Sequence, residues 1–478
     1  MEITVTEHQE TVPIHLDPTR RYYFVGIGGI GMSAIAQILC ARGLRVGGAD
    51  ARPSALLDQL RAAGADIYVG HDASQLTRQD VLVLSDAIKA DNPEWRQAKA
   101  WSLPIIKRAD LLGVLTNAGR GVAVSGTHGK TTTSGMLALI FLEAGMDPTC
   151  ILGGELAPLG SNARAGGDLI LVEACEAYNS FLNLTPAAAL ITNVEVDHLD
   201  FHGTPEHLYA SFRQFLGQVR SVAVLNGDDP MLQRMTALAP RTVTYGASAG
   251  CDYRMTDVVL DAEPSFTLSA GSQALGSVRL RVPGQHNVSN AAGAAALALE
   301  MGADFAAVQR GLAAFPGMHR RFERLGHCGH AVVVDDYAHH PTEIRATLAA
   351  AREAFSGRVI ALFQPHLYSR TRDLLDDFAR AFTQADLVLI APIYQARELP
   401  IPGISHHLLV ERLAALDPQR AVCALASLDE AVSALAQAAG YAGVPLASIT
   451  IPPMQQGDVV ITIGAGDVNT VAQQLVQY

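Results

Sequence analysis

Lysine is nearly missing from this chain: its 478 residues hold four, Lys89, Lys99, Lys107 and Lys130, and none follows position 130. Chemistry beyond that point must run without a lysine. Charge is also sparse, at 17% of residues with a net value of -12. No basic stripe is available to release the counterions of a polyanion, which excludes nucleic acid as the main partner. Small anions remain open, because a few local N–H groups suffice to hold them. The six cysteines, Cys40, Cys150, Cys175, Cys251, Cys328 and Cys423, form no CxxC pair. That excludes a zinc ribbon and a disulfide framework, and a reducing cytoplasm is the expected location. No 18 strongly apolar residues run uninterrupted, and Glu2, Glu7, His8 and Glu10 occupy the place of a basic, then apolar, export signal. The expectation is a soluble protein, neither exported nor inserted in a membrane, acting as a monomer or a weak homodimer.

What is present is a core-rich composition, with 49% apolar residues and only 6% aromatic. At about 150 residues per domain the length suggests roughly three domains. The chain divides into three α/β segments at 1–117, 118–317 and 318–478. In the first, an apolar strand over Tyr22 to Val25 runs into Gly26-Ile27-Gly28-Gly29-Ile30-Gly31 and a helical pattern from Met32 to Ala41. This is a Rossmann-like βα turn, and Asp50, at the end of the next strand, stands where a ribose-binding acid is expected. A strand over Val81 to Leu84 ends similarly at Ser85. Taken alone the turn is ambiguous, since NAD, FAD, UDP-sugars and plain tight packing all use it.

The second segment opens with a strand, Gly121 to Ser125, then Gly126-Thr127-His128-Gly129-Lys130-Thr131 and a helix from about Thr132 to Ala144. GxxGKT is two residues shorter than the usual phosphate loop. Its chemistry is intact: backbone N–H groups cradle phosphates, Lys130 reaches the β/γ oxygens, and the Thr131 hydroxyl ligates Mg²⁺. Strands over Leu169 to Val172 and Ala188 to Thr192 deliver Glu173, Glu176 and Asp197-His198 to the same sheet edge. Hard oxygens and an imidazole there suit Mg²⁺, or Mn²⁺, beside a triphosphate. Arg320-Arg321 lie at the junction with the third segment, where a guanidinium can meet transferring phosphate. Asn287 or Asn290, ahead of an Ala-rich helix over Ala291 to Glu300, reads on its own as an N-cap. The third segment restarts with strands over Ala331 to Val334, Val359 to Phe363, Leu387 to Ile390 and Val459 to Ile463, with a helix over Thr342 to Phe355 between them. Polar residues again close the strands: Asp335-Asp336, Gln364-Pro365-His366 and Gly464-Ala465-Gly466-Asp467.

Ten strings, GIGGIGMS, SGTHGKTTT, VEACEAYNSFL, TNVEVDHLDFHG, PGQHNVSNA, GMHRRFE, DDYAHHPTE, FQPHLYSRT, IYQARELPIPGI and ITIGAGD, follow one another in the order seen in the Mur ligase family. By them the chain resembles that family along nearly its whole length, and three of them resemble its alanine-adding branch. The resemblance implies a Rossmann-like UDP-sugar domain, a central P-loop ATPase with a mostly parallel sheet, and a Rossmann-like C-terminal domain for the amino acid. It implies that ATP activates the lactyl carboxylate of UDP-N-acetylmuramate as an acyl phosphate for attack by L-alanine.

Residue by residue, the resemblance places Gly126 to Thr132 and Lys130 on phosphate, and Thr131, Glu173 and His198 on metal. Asn193, Asn287 and Asn290 fall on the adenine side, Arg321 on phosphate and Asp336 on ribose. Tyr337, His339, His366 and Arg370 handle the amino acid. Gly28, Gly29, Ile30, Gly31, Asp50, His71 and Ser85 fall on the UDP-sugar side. The carbamylated lysine of several relatives has no counterpart here. Leu367 stands where many alanine-adding members carry arginine, Asp86 replaces a common serine, and Glu173 to Tyr178 departs from the commoner EADES-type string. A nicotinamide oxidoreductase would leave the GKT loop without a role. A switch ATPase would hydrolyse ATP without needing amine or carboxylate. The tripeptide-recycling member of the family, acting on the same sugar, is the near alternative.

Overall fold

The computed structural model describes residues 16–197, 199–396, 398–445 and 447–478, without the side chains of Leu199 and Asp200. Its strands form three sheets in chain order. The first is fully parallel, ordered Asp66–Val69, Arg45–Asp50, Arg21–Val25, Asp80–Leu84 and Ile105–Lys107. Its central strands are buried along their whole length, as the continuous apolar runs of a sheet covered on both faces require. Arg21 and Asp80 are the polar exceptions, the guanidinium forking onto the carboxylate with 2.8 and 2.9 Å contacts at the sheet's lower edge.

The second sheet has ten strands among the described residues. Its parallel heart places Arg120–Ser125 between Ala188–Ile191 and Leu169–Glu173. All three end at one edge, which gathers the phosphate loop, Glu173 and Asn193. The helix Lys130–Glu143 follows the loop and is buried on nearly every side, because Phe305–Ala314 and Gln285–Glu300 pack against it. Beyond Arg241–Gly246 the sheet continues as a meander, Tyr253–Val259, Ser265–Ala270 and Gln273–Arg279, with half-exposed strands.

The third sheet runs Glu323–Cys328, Ala331–Asp336, Val459–Ile463, Val359–Phe363, Leu387–Ile390 and Ala421–Ala424. Only its first strand is antiparallel. The junction before it is a knot and not a slack tether. Gly317, Arg320 and Phe322 hold φ of 105°, 58° and 48°, and Met318 bridges Arg321. The knot is pinned on both sides: His319 N–H donates to Glu155 O, Phe322 N–H to Asp336 Oδ2, and Tyr337 N–H to Arg320 O.

One expectation is corrected here. The Ala-rich helix begins at Gln285, with Gly284 as its N-cap at φ 104°, so neither Asn287 nor Asn290 caps it. Both lie inside its first two turns, where Asn287 Nδ2 donates to Pro283 O at 2.7 Å. A glycine N-cap carries little sequence signal.

Candidate active site

The phosphate loop is held open by its neighbours. Gly129 adopts φ 84°, and a Cβ there would fall 2.6 Å from Asn290 Oδ1. Only glycine allows both the left-handed turn and the close approach of Gln285–Glu300. The loop backbone is fixed by the strand edge beside it: His128 N–H donates to Asn193 Oδ1 at 2.9 Å, and His128 O accepts from Thr192 Oγ1 at 2.6 Å. Lys130 Nζ turns back to Gly126 O at 2.5 Å, Thr127 O at 3.0 Å and Glu176 Oε2 at 2.9 Å. Burial works against the ammonium, but Glu176 and the neighbouring acid Glu173 keep it firmly charged. Glu176 is thus the counter-ion of the loop lysine.

Thr131 Oγ1 donates to Glu173 Oε2 at 2.7 Å, so these two hard donors share one point beside the loop. His198 lies outside the described residues. A second cluster joins His128, Glu195 and His340, whose ligand atoms lie within 4.8 Å of one another. Both His128 nitrogens already face carboxylates, Glu195 at 3.0 Å and Glu343 at 3.2 Å. His340 Nδ1 accepts the Thr342 N–H, which leaves its proton on Nε2. Burial opposes protonation of His128, yet the two carboxylates raise it to about 9. A proton on His128 balances charge between these two carboxylates.

A cleft of about 450 Å³ runs from the loop to the third sheet, lined by Lys130, Asn193, Asn287, Asn290, Arg321 and Asp336 among others. Asp336 accepts N–H groups from Phe322 and Ala338, both at 2.7 Å. Burial raises its carboxyl to about 6 against the pull of Arg321 and these N–H groups. Arg321 lies over the Tyr337 ring at 5.0 Å and 3.9 Å from Glu343. Farther along, His339 sits 5.5 Å from Tyr337 and 6.0 Å from His366, whose ring stacks on Tyr394 at 5.7 Å. Burial holds His339 neutral, near 4. Arg370 pairs with Asp197 at 3.6 Å. Between His366 and Tyr368, Leu367 takes φ 72° and ψ 137°, a strained conformation of the kind found at binding sites.

A second cleft, about 440 Å³, is lined by Gly29, Ile30, Gly31, Asp50 and Ser85 from the first sheet and by Gly153 and Glu173 from the second. Asp50 Oδ2 accepts the Gly28 N–H at 2.9 Å, which fixes the glycine turn. His71 is not among its lining residues and instead holds the buried Glu94 at 2.9 Å. Glu173 lines both clefts, so the two meet there. Sequence reasoning missed Arg108, Glu195 and Glu343. Arg108 lines the second cleft just after the strand Ile105–Lys107, a basic residue at a carboxyl edge that could have been read. Glu195 and Glu343 gain their meaning only from partners far away in the chain, His128 for both and Thr342 for Glu195.

Family models cover most of the chain: "Mur ligase family, catalytic domain" over residues 21–120, "Mur ligase middle domain" over 124–298, and "Mur ligase, glutamate ligase domain" over 320–466. A Thermobifida fusca protein named UDP-N-acetylmuramate--L-alanine ligase is 41% identical, with 98% of each chain covered. One of the same name from Sorangium cellulosum is 41% identical over 95% of this chain and 96% of its own. Among solved structures, the UDP-N-acetylmuramate-alanine ligase of Thermotoga maritima superposes with a TM-score of 0.80 at 28% identity, covering 96% of this chain and 98% of that one. A murein peptide ligase from Psychrobacter arcticus shares the fold, with a TM-score of 0.69 at 23% identity over 96% and 98% of the two chains.

Proposed function

The chain belongs to the Mur ligase family, and from that premise we propose that it uses ATP to join L-alanine to the lactyl carboxylate of UDP-N-acetylmuramate, a step in peptidoglycan precursor synthesis. The observation that carries this reading is the meeting of two clefts at Glu173, one running from a phosphate loop and one from a dinucleotide-type glycine turn. A carboxylate is a poor electrophile until one oxygen becomes a leaving group. A lactyl carboxylate oxygen arriving from the second cleft would attack the γ-phosphorus, the bond to the β-phosphate oxygen would break, and ADP would leave. The alanine amine would then attack the acyl carbon, expel phosphate and lose a proton.

The residues divide the work. The loop N–H groups and Lys130 receive the phosphates, and Arg321 faces the charge that develops in transfer. Asn193, Asn287 and Asn290 border the adenosine side, and Asp336 takes the ribose. Gly28 to Gly31, Asp50, Ser85 and Arg108 hold the UDP-sugar. Tyr337, His339, His366 and Arg370 surround the amino acid, with neutral His339 able to accept a hydrogen bond from its amine. Oxygen donors such as Thr131 Oγ1 and Glu173 Oε2, 2.7 Å apart, fit Mg²⁺, a hard cation. Bound there, Mg²⁺ would neutralise charge on the triphosphate. No described helix is long and apolar enough to cross a membrane, and a cytoplasmic site of action agrees with the six unpaired cysteines.

The test is phosphate release with UDP-N-acetylmuramate, ATP, Mg²⁺ and L-alanine, omitting each in turn. Release should require all of them, and L-alanine should outcompete the tripeptide used by the recycling relative. Lys130→Ala should abolish turnover and leave UDP-sugar binding intact. Turnover retained in that variant would remove the role given to the phosphate loop.

A further inference from the structure

Glu343, at the start of the helix Pro341–Ala354, has more partners than a helix cap needs. Its Oε2 accepts the backbone N–H of His339 at 3.0 Å and of His340 at 3.3 Å, the ordinary duty of a glutamate at this position. Its other oxygen reaches out of the helix to His128 Nδ1 at 3.2 Å, in the phosphate loop of the neighbouring segment. The far side of the same imidazole meets Glu195 Oε2 at 3.0 Å. Glu195 Oε1 in turn accepts the Thr342 hydroxyl at 2.6 Å, which closes a ring of contacts back to the residue beside Glu343. His128 therefore has its backbone in the second sheet's loop and its side chain held between Glu195 of the same segment and Glu343 of the third.

We infer that Glu343 is a positioning residue for the ligase reaction: through His128 it clamps the phosphate loop to the amino-acid-binding segment, and Glu195 and Thr342 complete the clamp. The inference rests on the ligase reading above. A glutamate serving only as a cap would use one carboxylate oxygen and leave the other to solvent. Here the second oxygen meets His128 of the loop proposed to grip a triphosphate, and the first holds the backbone of His339. Phosphate side and amino-acid side thus share one carboxylate.

The charged and titratable groups facing His128 are Glu195, from the loop after Ala188–Ile191, with Glu343 and His340 from the start of Pro341–Ala354. The His340 ring lies 5.2 Å away, and Arg321, His339 and His286 surround Glu343. The imidazolium is favoured in the fold, so the clamp is complete below the ordinary histidine value and is lost as pH rises through about 9.

Glu343→Gln keeps a side chain that can cap and removes the charge. Its kcat/KM for alanine should fall roughly tenfold or more, the scale of a lost hydrogen bond to a charged group. The alkaline limb of its pH profile should move to lower pH, because one carboxylate no longer supports the imidazolium, while the dissociation constant for UDP-N-acetylmuramate stays unchanged. Glu195→Gln leaves the helix cap untouched and should shift the limb in the same direction, which keeps the test alive if the first variant folds poorly. Glu343→Asp should restore part of the rate. An alkaline limb unmoved in both glutamine variants overturns the clamp. Parent protein without alanine-dependent phosphate release would instead overturn the ligase reading, so the two failures are distinguishable.

Discussion

Lys130 uses its charge inside the loop that carries it, with two loop carbonyls and Glu176 as partners. In the function proposed above, an incoming triphosphate would compete with Glu176 for that ammonium, which would give a role to an acid set in an unusual string. Asp336 offers a sharper test. Its carboxyl ionises near pH 6 in the fold, above the ordinary 3.8, because burial disfavours the anion. In the ribose-binding role proposed for it, Asp336 accepts hydrogen bonds from hydroxyls, which the anion does better than the acid. Nucleotide affinity should therefore weaken as pH drops below 6, by up to about tenfold per unit. Calorimetric titration with ADP at pH 5 and 7 checks this, and Asp336→Asn should remove that part of the pH dependence, leaving only what the nucleotide's own phosphates contribute. Lys130 and Asp336 were legible in the sequence because one belongs to a contiguous loop and the other closes a strand, whereas the pairing of Glu176 with the lysine was not. Glu195 and Glu343 were not, since nothing in a linear string shows that residues 195 and 343 face opposite nitrogens of one imidazole.

At the scale of elements, the helix after the phosphate loop is located by glycine. A Cβ at Gly311, in Phe305–Ala314, would sit 2.6 Å from the Cα of Ile140 in Lys130–Glu143, so the two helices touch backbone to backbone. Gly311→Ala should force them apart and lower stability by roughly 1–3 kcal/mol, as overpacking does. Urea unfolding measures it, and a weaker grip on nucleotide should accompany the loss because the loop rides on the displaced helix. The parallel strands were readable as unbroken apolar runs, Val359–Phe363 being wholly buried. The meander from Tyr253 to Arg279 escaped notice for the opposite reason. Its outer strands are largely exposed, its residues are often polar and its register slips between Thr256 and Val259 and again between Leu268 and Ser269, so a period of two survives only in the short strand Ser265–Ala270. The asparagine caps were misread for another reason: the helix starts at Gln285, ahead of both asparagines, on a glycine N-cap.

At the scale of the molecule, both clefts depend on how neighbouring sheets are seated, and the sequence shows segments without showing their seating. The knot at residues 317–322 bears directly on that seating. Its backbone is hydrogen-bonded into both flanking segments, and the third segment can swing only about a short, stiff axle. Proteases need several residues of pliant, extended substrate, and this stretch offers none. Limited trypsinolysis should therefore leave the bond after Arg320 or Arg321 intact long after exposed surface arginines are cut, and mass spectrometry of the fragments would show it. Early scission there would mean that the two halves are strung together loosely, like beads.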